Sequence, residues 1–566
     1  MISYEFDAIV VGSGVSGGWA AKELTEKGFK TLVLERGRAL THGSGYVGEH
    51  LPAWKLPYRG LPPRELYQRE YPVQSTSYAF DEYTRHFWNN DRDNPYVVEE
   101  NGHRFDWIRA DVVGGRSLLW GRQVYRWSDL DFTANKNDGY GVDWPIRYAD
   151  IAPWYSHVEK FIGVSGQKLG LPQLPDGEFQ KPMELNVVEQ ALAEHIEAHF
   201  PGRVLTIGRV AVMTELLPHS KRGICHYCGP CHRGCSAGAY FSSLSSTLPA
   251  AEATGNLTLR PNSVVERLAL DPATGRIGAV HVVDTQTNER LQFRARLVFL
   301  CGSTVGSTQV LLNSRSERFP NGLANDSGAL GRYLMDHTSQ VHVAGRFEGY
   351  DGYMPTGARP NGIYVPRFRN VEPGDEVPFL RGYGFQGGAS RADWSGVAAG
   401  TPGFGAEFKN ALRRPGPWQM SLMGFGECLP YSTNYMELHP TAVDRYGIPQ
   451  VRFHFEWGAN EIAQRRDMLE QGRAMLESAG ARNVGGGDMN ARGGAAIHEM
   501  GTARMGNDPA HSVLNAYNQA HAVPNLFVTD GSCMASSSCV NPSITYMALT
   551  ARAVDYAVRQ VRDGVI

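Results

Sequence analysis

The N-terminal part of the chain shows the pattern of a buried strand, a turn and a helix. Residues 7–11 are largely apolar, as in a parallel strand that is covered on both faces. A helical segment is predicted from 18 to 27, and a second apolar run at 31–34 ends at Glu35. This order predicts a β-α-β unit of a parallel sheet.

The turn of this unit has the G-x-G-x-x-G spacing of dinucleotide sites, Gly12-Ser13-Gly14-Val15-Ser16-Gly17. Gly12 permits the tight turn, Gly14 lets the backbone approach a pyrophosphate, and Gly17 allows close packing of the helix. Glu35 stands about twenty residues further on, where a carboxylate binds the ribose hydroxyls. Glycine-rich turns are common, but the strand before and the helix after complete the motif, so we expect a dinucleotide site.

The pattern changes in the second half of the chain. A strand-rich stretch runs from 338 to about 485 and includes the segments 434–438 and 450–457. Residues 543–558 carry apolar positions at helical spacing, which predicts a buried helix.

The composition is that of an ordinary globular chain. With 566 residues, 42% hydrophobic and 20% charged, two to four domains are expected. Because 55 basic residues stand against 58 acidic ones, neither nucleic acid nor an anionic membrane is favoured as the main partner. No run of about eighteen apolar residues occurs, so no membrane insertion is expected. Residues 1–6 show neither a basic nor an apolar leader, and we expect no export signal in this chain.

Four cysteines lie close together with the spacing C-x2-C-x2-C-x3-C, and they are called the cysteine run below: Cys225, Cys228, Cys231 and Cys235. This is the spacing of bacterial ferredoxins, whose thiolates hold an iron–sulfur cluster. A zinc site remains an alternative, with His226 and His232 as further ligands, although structural zinc usually uses two ligand pairs separated by a longer loop. A disulfide pair is the third possibility and requires an oxidising compartment.

Several motifs resemble those of the glucose–methanol–choline (GMC) oxidoreductase family, in family order and over nearly the whole chain. They are residues 113–121 (VGGRSLLWG), 144–148 (WPIRY), 299–303 (FLCGS), 331–337 (GRYLMDH), 497–502 (IHEMGT), 525–532 (NLFVTDGS) and 540–545 (VNPSIT).

The resemblance implies an α/β (α+β) fold, with a Rossmann-like FAD-binding domain of GMC type and a substrate-binding domain built on an antiparallel sheet that forms the pocket floor. It implies three parts: an FAD-binding domain (1–45, 100–150, 250–337 and 490–566), a cysteine-rich iron–sulfur insertion (205–249) and a substrate-binding domain (150–204 and 338–489). It also implies non-covalent FAD, since no histidine follows Gly115 at the position that some relatives use for a covalent link. Further FAD contacts implied by the matching motifs are Gly114, Gly115, Ser117, Gly121, Asp530 and Asn541.

His498 suits the role of the base that accepts a hydroxyl proton, because an imidazole ionises near neutral pH. The resemblance places Asn541 beside it, where the amide would orient an alcohol in front of the flavin. We expect these two residues to be catalytic. Sugar contacts are expected at three residues beside the flavin loop: Trp120, Arg122 and Gln123.

Within the family, the cysteine run is similar to that of the iron–sulfur catalytic subunits of bacterial sugar dehydrogenases, the glucoside 3-dehydrogenase and glucose dehydrogenase group. That resemblance implies a [3Fe-4S] cluster, with [4Fe-4S] as an alternative, and oxidation of a ring hydroxyl such as C3 of a pyranoside. It also implies a small companion subunit, a cytochrome c or other carrier, and a periplasmic location by co-export, with the cytoplasm as the alternative. Two other functions stay open: an oxygen-using oxidase with a zinc site, and a non-catalytic flavin electron-transfer subunit.

Overall fold

The computed structural model describes residues 5–99, 103–372, 374, 376–392, 397–398 and 401–566, so the expectations for residues 1–4 and 100–102 lie outside the described residues. Its strands are β1 (Phe6–Val11), β2 (Thr31–Leu34), β3 (Val164–Ser165), β4 (Phe179–Gln180), β5 (Thr206–Ile207), β6 (Leu257–Arg260), β7 (Ser263–Asp271), β8 (Arg276–Asp284), β9 (Arg290–Phe293), β10 (Ala295–Leu300), β11 (Thr338–Phe347), β12 (Ile363–Val365), β13 (Tyr383–Arg391), β14 (Trp418–Gly426), β15 (Tyr435–Val443), β16 (Pro449–His454), β17 (Arg482–Asp488) and β18 (Leu526–Val528).

The helices of the described residues are α1 (Val15–Glu26), α2 (Arg64–Glu70), α3 (Asp129–Phe132), α4 (Ala134–Asp138), α5 (Tyr148–Ile162), α6 (Val187–His199), α7 (Thr247–Ala253), α8 (Thr304–Asn313), α9 (Ala406–Ala411), α10 (Ala459–Ser478) and α11 (Ser543–Arg562). Among these described helices, none combines the length and the apolar character that crossing a membrane requires.

A parallel sheet of five strands, in the order β18-β10-β1-β2-β6, carries the predicted β-α-β unit. Val11 at the end of β1 pairs with Leu34 on β2 and with Leu300 on β10. The chain therefore leaves three neighbouring strands at the same carboxyl edge, which is where ligands bind in open parallel sheets. This confirms the parallel part of the predicted fold.

Helix α1 begins at Val15, three residues earlier than the sequence pattern predicted, because Gly14 forms its N-cap. The helix packs tightly against the turn before it. A Cβ atom at Gly17 would lie 2.0 Å from the Gly12 carbonyl oxygen, so only glycine permits this approach. Helices α5, α7 and α11 cover α1, and the predicted C-terminal helix is confirmed and extends to Arg562.

An antiparallel sheet of six strands, in the order β17-β11-β14-β13-β12-β5, forms the second layer. Alternate residues on one face, such as Val343 and Leu422, pack with Met468 of α10 in a separate apolar core. Since side chains alternate across a strand, the residues between them point to the opposite face. The antiparallel part of the predicted fold is thereby confirmed.

One detail of the expected pocket floor is wrong. Strands β15 and β16, which cover most of the segments 434–438 and 450–457, form a two-stranded sheet of their own and do not join the six-stranded sheet. Their buried residues Met436, Val451 and Phe453 belong to the apolar core around the parallel sheet. The alternating pattern predicts a strand with one buried face, but it does not state which core that face covers. The predicted domain boundaries stay a prediction.

A buried ion-pair network joins α4 to the antiparallel sheet. Arg381, just before β13, donates to Glu427 Oε1 at 2.6 Å, to Asn135 Oδ1 at 2.9 Å and to Asp138. Glu427 is fully buried, so Arg381 is the cation that compensates its charge there.

We expect Arg381→Met to lower the free energy of unfolding by ~3–5 kcal/mol, because it leaves the Glu427 carboxylate buried without its cation. The measurement is urea unfolding followed by tryptophan fluorescence. The control is Arg318→Met, whose partner Asp326 is also solvent-exposed, and it should change stability by less than about 1 kcal/mol. Equal stability losses in both variants would contradict a special role for the buried network.

Candidate active site

A cavity of about 860 Å³ lies between the carboxyl edge of the parallel sheet and one face of the antiparallel sheet. Gly12, Gly14 and Glu35 line it where strands β1 and β2 end, and His498 and Asn541 line it as well. The structure therefore brings the predicted dinucleotide turn and the predicted catalytic pair to one cavity.

The glycine turn leaves room for a ligand. Gly12 has a φ of +98°, and a Cβ atom there would lie 2.5 Å from the Cys301 carbonyl oxygen. A Cβ at Gly14 would meet none of the described atoms within 4 Å, so this backbone faces open space. Gly17 does not line the cavity, and its role is the helix packing described above.

Glu35 also braces the turn. Its Oε2 accepts hydrogen bonds from the Ser13 amide at 2.9 Å and from the Ser13 hydroxyl at 2.5 Å, and its Oε1 accepts one from the Gly37 amide at 2.8 Å. Burial raises the pKa of this carboxyl, while these hydrogen bonds oppose the increase. Glu35 is thus held rigidly at the cavity wall.

The second predicted loop lies directly against the glycine turn. The Gly114 amide donates to the Ser13 hydroxyl at 2.9 Å, and the Ser117 hydroxyl donates to the Gly114 carbonyl at 2.5 Å. Gly115, Ser117 and Gly121 line the cavity, whereas Gly114 does not. Gly114 and Gly115 have positive φ angles of +93° and +51°, which explains glycine at these two positions.

Asp530 and the start of α11 form another part of the wall. The Asp530 carboxylate accepts from the Ser532 amide at 3.0 Å and from the Ser307 hydroxyl at 2.5 Å. Asn541 and Ser543, at the N-terminus of α11, also line the cavity. A helix N-terminus favours negative charge in the space that it faces.

The predicted catalytic residues are in hydrogen-bond contact. Asn541 Nδ2 lies 3.3 Å from His498 Nε2, and Asn541 Oδ1 accepts a hydrogen bond from Gln386 Nε2 at 2.6 Å. Because Gln386 donates to the amide oxygen, the Asn541 nitrogen must face the imidazole. Sequence reasoning did not identify Gln386, which lies on β13 in a glycine-rich stretch.

A second histidine fixes the protonation of His498. His337 Nε2 lies 3.0 Å from the Ser537 carbonyl oxygen, and His337 Nδ1 lies 2.9 Å from His498 Nδ1. Since a carbonyl only accepts, His337 carries its proton on Nε2, and its Nδ1 is an acceptor. His498 must then carry its proton on Nδ1, which leaves His498 Nε2 unprotonated toward Asn541 and the cavity.

The surroundings keep both imidazoles neutral. Burial lowers the pKa of His498 well below its ordinary value, and the nearby His337 and Arg116 lower it further. Burial lowers the pKa of His337 to about 4. Asp336 accepts from the His498 amide at 3.1 Å and so holds this segment, while burial and the neighbouring Glu499 raise the pKa of Asp336 to about 7.

Some polar groups in the cavity wall have no hydrogen-bond partner among the described residues. The Ser339 hydroxyl and Asn361 Oδ1 are buried, line the cavity and have no hydrogen-bond partner among the described residues. Trp120 and Gln123 also line the cavity, and their role as sugar contacts stays a prediction. No local pattern marks Ser339 and Asn361, because isolated serine and asparagine residues occur throughout the chain.

Arg122 does not reach the cavity. It is fully buried, and its guanidinium donates to the carbonyl groups of Phe241 at 2.7 Å and Trp120 at 2.5 Å. The same guanidinium stacks 3.7 Å from the centre of the Tyr240 ring. A direct sugar contact by Arg122 therefore finds no support in its position.

The cysteine run lines a second, smaller cavity. All four cysteines are free, and Cys228 is the exposed one. Within the described residues, no three His, Cys, Asp or Glu side chains are already arranged to hold a metal ion. Tyr240 and Pro360 belong to the walls of both cavities, so the cysteine run adjoins the candidate active site.

Comparison with known proteins gives two family matches. Residues 6–339 and residues 430–550 match the N-terminal and C-terminal models described as GMC oxidoreductase. The chain is similar to 2-methyl-1,2-propanediol dehydrogenase of Mycolicibacterium austroafricanum, with 29% identity over 98% of this chain and 96% of the relative. It is similar to the fructose dehydrogenase large subunit of Gluconobacter japonicus, with 24% identity over 99% and 98%. Pyridoxine 4-oxidase from Mesorbium loti has the same fold, with a TM-score of 0.59, 17% identity and coverage of 98% and 99%.

Proposed function

Since this chain belongs to the GMC oxidoreductase family, we propose that it is an FAD-dependent dehydrogenase that oxidises a secondary hydroxyl of a sugar or glycoside. The favoured reaction converts C3 of a pyranoside to the 3-keto sugar. The cysteine run would hold an iron–sulfur cluster, which would supply the path for electrons from the flavin to an external carrier. The observation that carries the proposal is the contact of His498 Nε2 with Asn541 Nδ2 at 3.3 Å, in the same cavity as the dinucleotide turn.

The residues of the cavity fit non-covalent FAD. Gly14 leaves open space at the N-terminus of α1, which suits a pyrophosphate, and Glu35 stands at the end of β2, where it suits ribose hydroxyls. Gly115, Ser117 and Asp530 line the part of the cavity that would hold the flavin. When bound, FAD supplies the acceptor for a hydride.

The chain's own residues handle the proton. The substrate O–H bond breaks and its proton goes to His498 Nε2, while the adjacent C–H bond breaks and its electron pair leaves with the hydrogen as hydride. Asn541 Nδ2 donates a hydrogen bond to the substrate oxygen and orients it toward the base. The positive charge that then forms on His498 is shared through its Nδ1–H with His337 Nδ1.

A polyhydroxylated substrate suits the free polar groups of the cavity. The Ser339 hydroxyl and Asn361 Oδ1 would each gain a hydrogen bond from a sugar hydroxyl, and buried polar groups without partners are costly. Trp120 offers an aromatic face for the ring, and Gln123 offers a further amide. The name of the relative fructose dehydrogenase supports a sugar as substrate, and the C3 position rests on the resemblance to glucoside 3-dehydrogenases.

The donor set of the cysteine run fits an iron–sulfur cluster. Four thiols line one small cavity beside the larger one, and thiolates are the ligands of such clusters. When bound, the cluster supplies a one-electron carrier, of the [3Fe-4S] type or, with four thiolate ligands, of the [4Fe-4S] type. An external carrier such as a cytochrome c and a small companion subunit complete the proposal, with a periplasmic location.

We expect His498→Ala to lower kcat by ~10²–10⁴ with a glucoside and an artificial electron acceptor, because general-base catalysis contributes about that much. His337→Ala should lower kcat by roughly 10² at nearly constant KM, since it frees His498 to carry its proton on Nε2. The matched control is His521→Ala, because His521 bonds Ser512 outside the cavity and should leave kcat unchanged. Undiminished turnover in His498→Ala would favour a non-catalytic flavin subunit.

The first test of the cluster is iron, zinc and acid-labile sulfide analysis of anaerobically purified protein, with an EPR spectrum before and after addition of a glucoside. Iron, sulfide and an EPR signal that responds to the sugar are the expected results. Zinc without iron, together with hydrogen peroxide formed in proportion to substrate, would replace the dehydrogenase by an oxidase with a structural zinc site. Replacement of Cys235 by Ser shows whether this fourth cysteine is a ligand.

A further inference from the structure

Two arginines are buried beside the cysteine run. Arg122 and Arg222 are 0% and 5% exposed, although arginine is rarely buried without an anionic partner. Arg222 donates to the carbonyl groups of Ile162 at 2.5 Å, Gly238 at 2.7 Å and Ala239 at 3.0 Å. Backbone dipoles thus hold both guanidinium groups in place without neutralising their charges.

Neither guanidinium forms an ion pair with a carboxylate of the described chain, and Arg122 Nη2 has no hydrogen-bond partner there. Arg126 and Arg209, in contrast, pair with Glu159 at 2.6 Å and with Asp176 at 2.7 Å. Arg504 and Arg552 are buried on backbone carbonyl groups as well, so what sets Arg122 and Arg222 apart is their place beside the cysteine run.

The groups that face these two arginines are thiols and tyrosines. Arg122 interacts electrostatically with Cys231 and Cys235, and Arg222 interacts with Cys235. Each guanidinium group lies over a neighbouring aromatic ring. Arg122 Cζ is 3.7 Å from the centre of the Tyr240 ring, and Arg222 Cζ is 5.6 Å from the centre of the Phe241 ring. Glu49 is the carboxylate in the wall of the cysteine cavity, and the two arginines lie behind that wall, on Tyr240 and on the Ala239 carbonyl group.

We infer that Arg122 and Arg222 are the counter-cations of an anionic metal–thiolate centre in the cysteine run, and that their charge raises its reduction potential. The inference rests on the proposed cluster. Each thiolate ligand brings a negative charge, and uptake of one electron adds another. Buried cations stabilise the more negative, reduced form, and low local dielectric makes this effect strong.

The test is the midpoint potential of the cluster, measured by EPR-monitored redox titration of the full-length protein after its iron content has been determined. Arg122→Met and Arg222→Met should shift the potential to more negative values. Arg222→Lys, which retains the charge, should restore most of the wild-type potential. The control is Lys221→Met, which removes the same charge from the exposed neighbouring residue, where water screens it. It should produce almost no shift.

An opposite shift provides a second test that does not need either arginine variant to fold. Glu49→Gln removes the carboxylate charge from the cavity wall but retains an oxygen that accepts from the Ser236 amide at 2.9 Å. This variant should shift the midpoint potential to more positive values.

The outcomes separate this inference from the proposed function. Wild-type protein without iron would remove the cluster and the inference together. Iron in the wild type, with the same potential in Glu49→Gln and in every arginine variant that folds, would overturn the inference and leave the dehydrogenase proposal intact. A shift in Lys221→Met as large as that in Arg222→Met would also overturn it, because the effect would then be general surface charge.

Discussion

A backbone carbonyl only accepts hydrogen bonds, and this restriction at Ser537 determines the state of the candidate active site. It places the proton of His337 on Nε2, that of His498 on Nδ1, and the free electron pair of His498 on Nε2. Gln386 imposes the matching restriction on Asn541 from the other side, since it donates to the amide oxygen. The Ser537 carbonyl group and the Gln386 amide therefore fix the direction of each hydrogen bond in the series that joins them through His337, His498 and Asn541. No charged partner is needed to select the tautomer of His498.

The fold brings these ends together from distant parts of the sequence. His337 immediately precedes β11, and Gln386 lies on β13. His498 and Asn541 lie in the C-terminal segment, which returns to the parallel sheet. The cavity thus combines one face of the antiparallel sheet with the carboxyl edge of the parallel sheet. Asp336 strengthens this junction, because it accepts from the His498 and Ala496 amides.

The sequence predicted the elements whose signal is local. The strand, glycine turn and helix at the N-terminus form as expected, because the glycine spacing and the apolar runs are adjacent in the chain. His498 and Asn541 were found through short motifs, and the structure places them in contact. The assignment of β15 and β16 to the pocket floor was wrong, since periodicity shows a buried face but not the core that it joins. No local sequence pattern marks Ser339, Asn361 or Gln386. Gln386 matters through its contact with Asn541, which is more than one hundred residues away in the sequence. Ser339 and Asn361 matter because they line the cavity.

The two cavities explain why buried charge is arranged so differently in them. Around His498, burial keeps the imidazole neutral, and no carboxylate among the described residues contacts its ring; the neutral form is the state that a base requires before reaction. Around the cysteine run, burial lowers the pKa of the Arg122 and Arg222 guanidinium groups, while the nearby thiols oppose the decrease. Tyr240 lines both cavities, and the Arg122 guanidinium group stacks on its ring. The two cavities therefore share this part of their walls. Arg122 donates to the Trp120 carbonyl group and so holds a residue of the candidate active-site wall, although Arg122 itself does not touch the cavity.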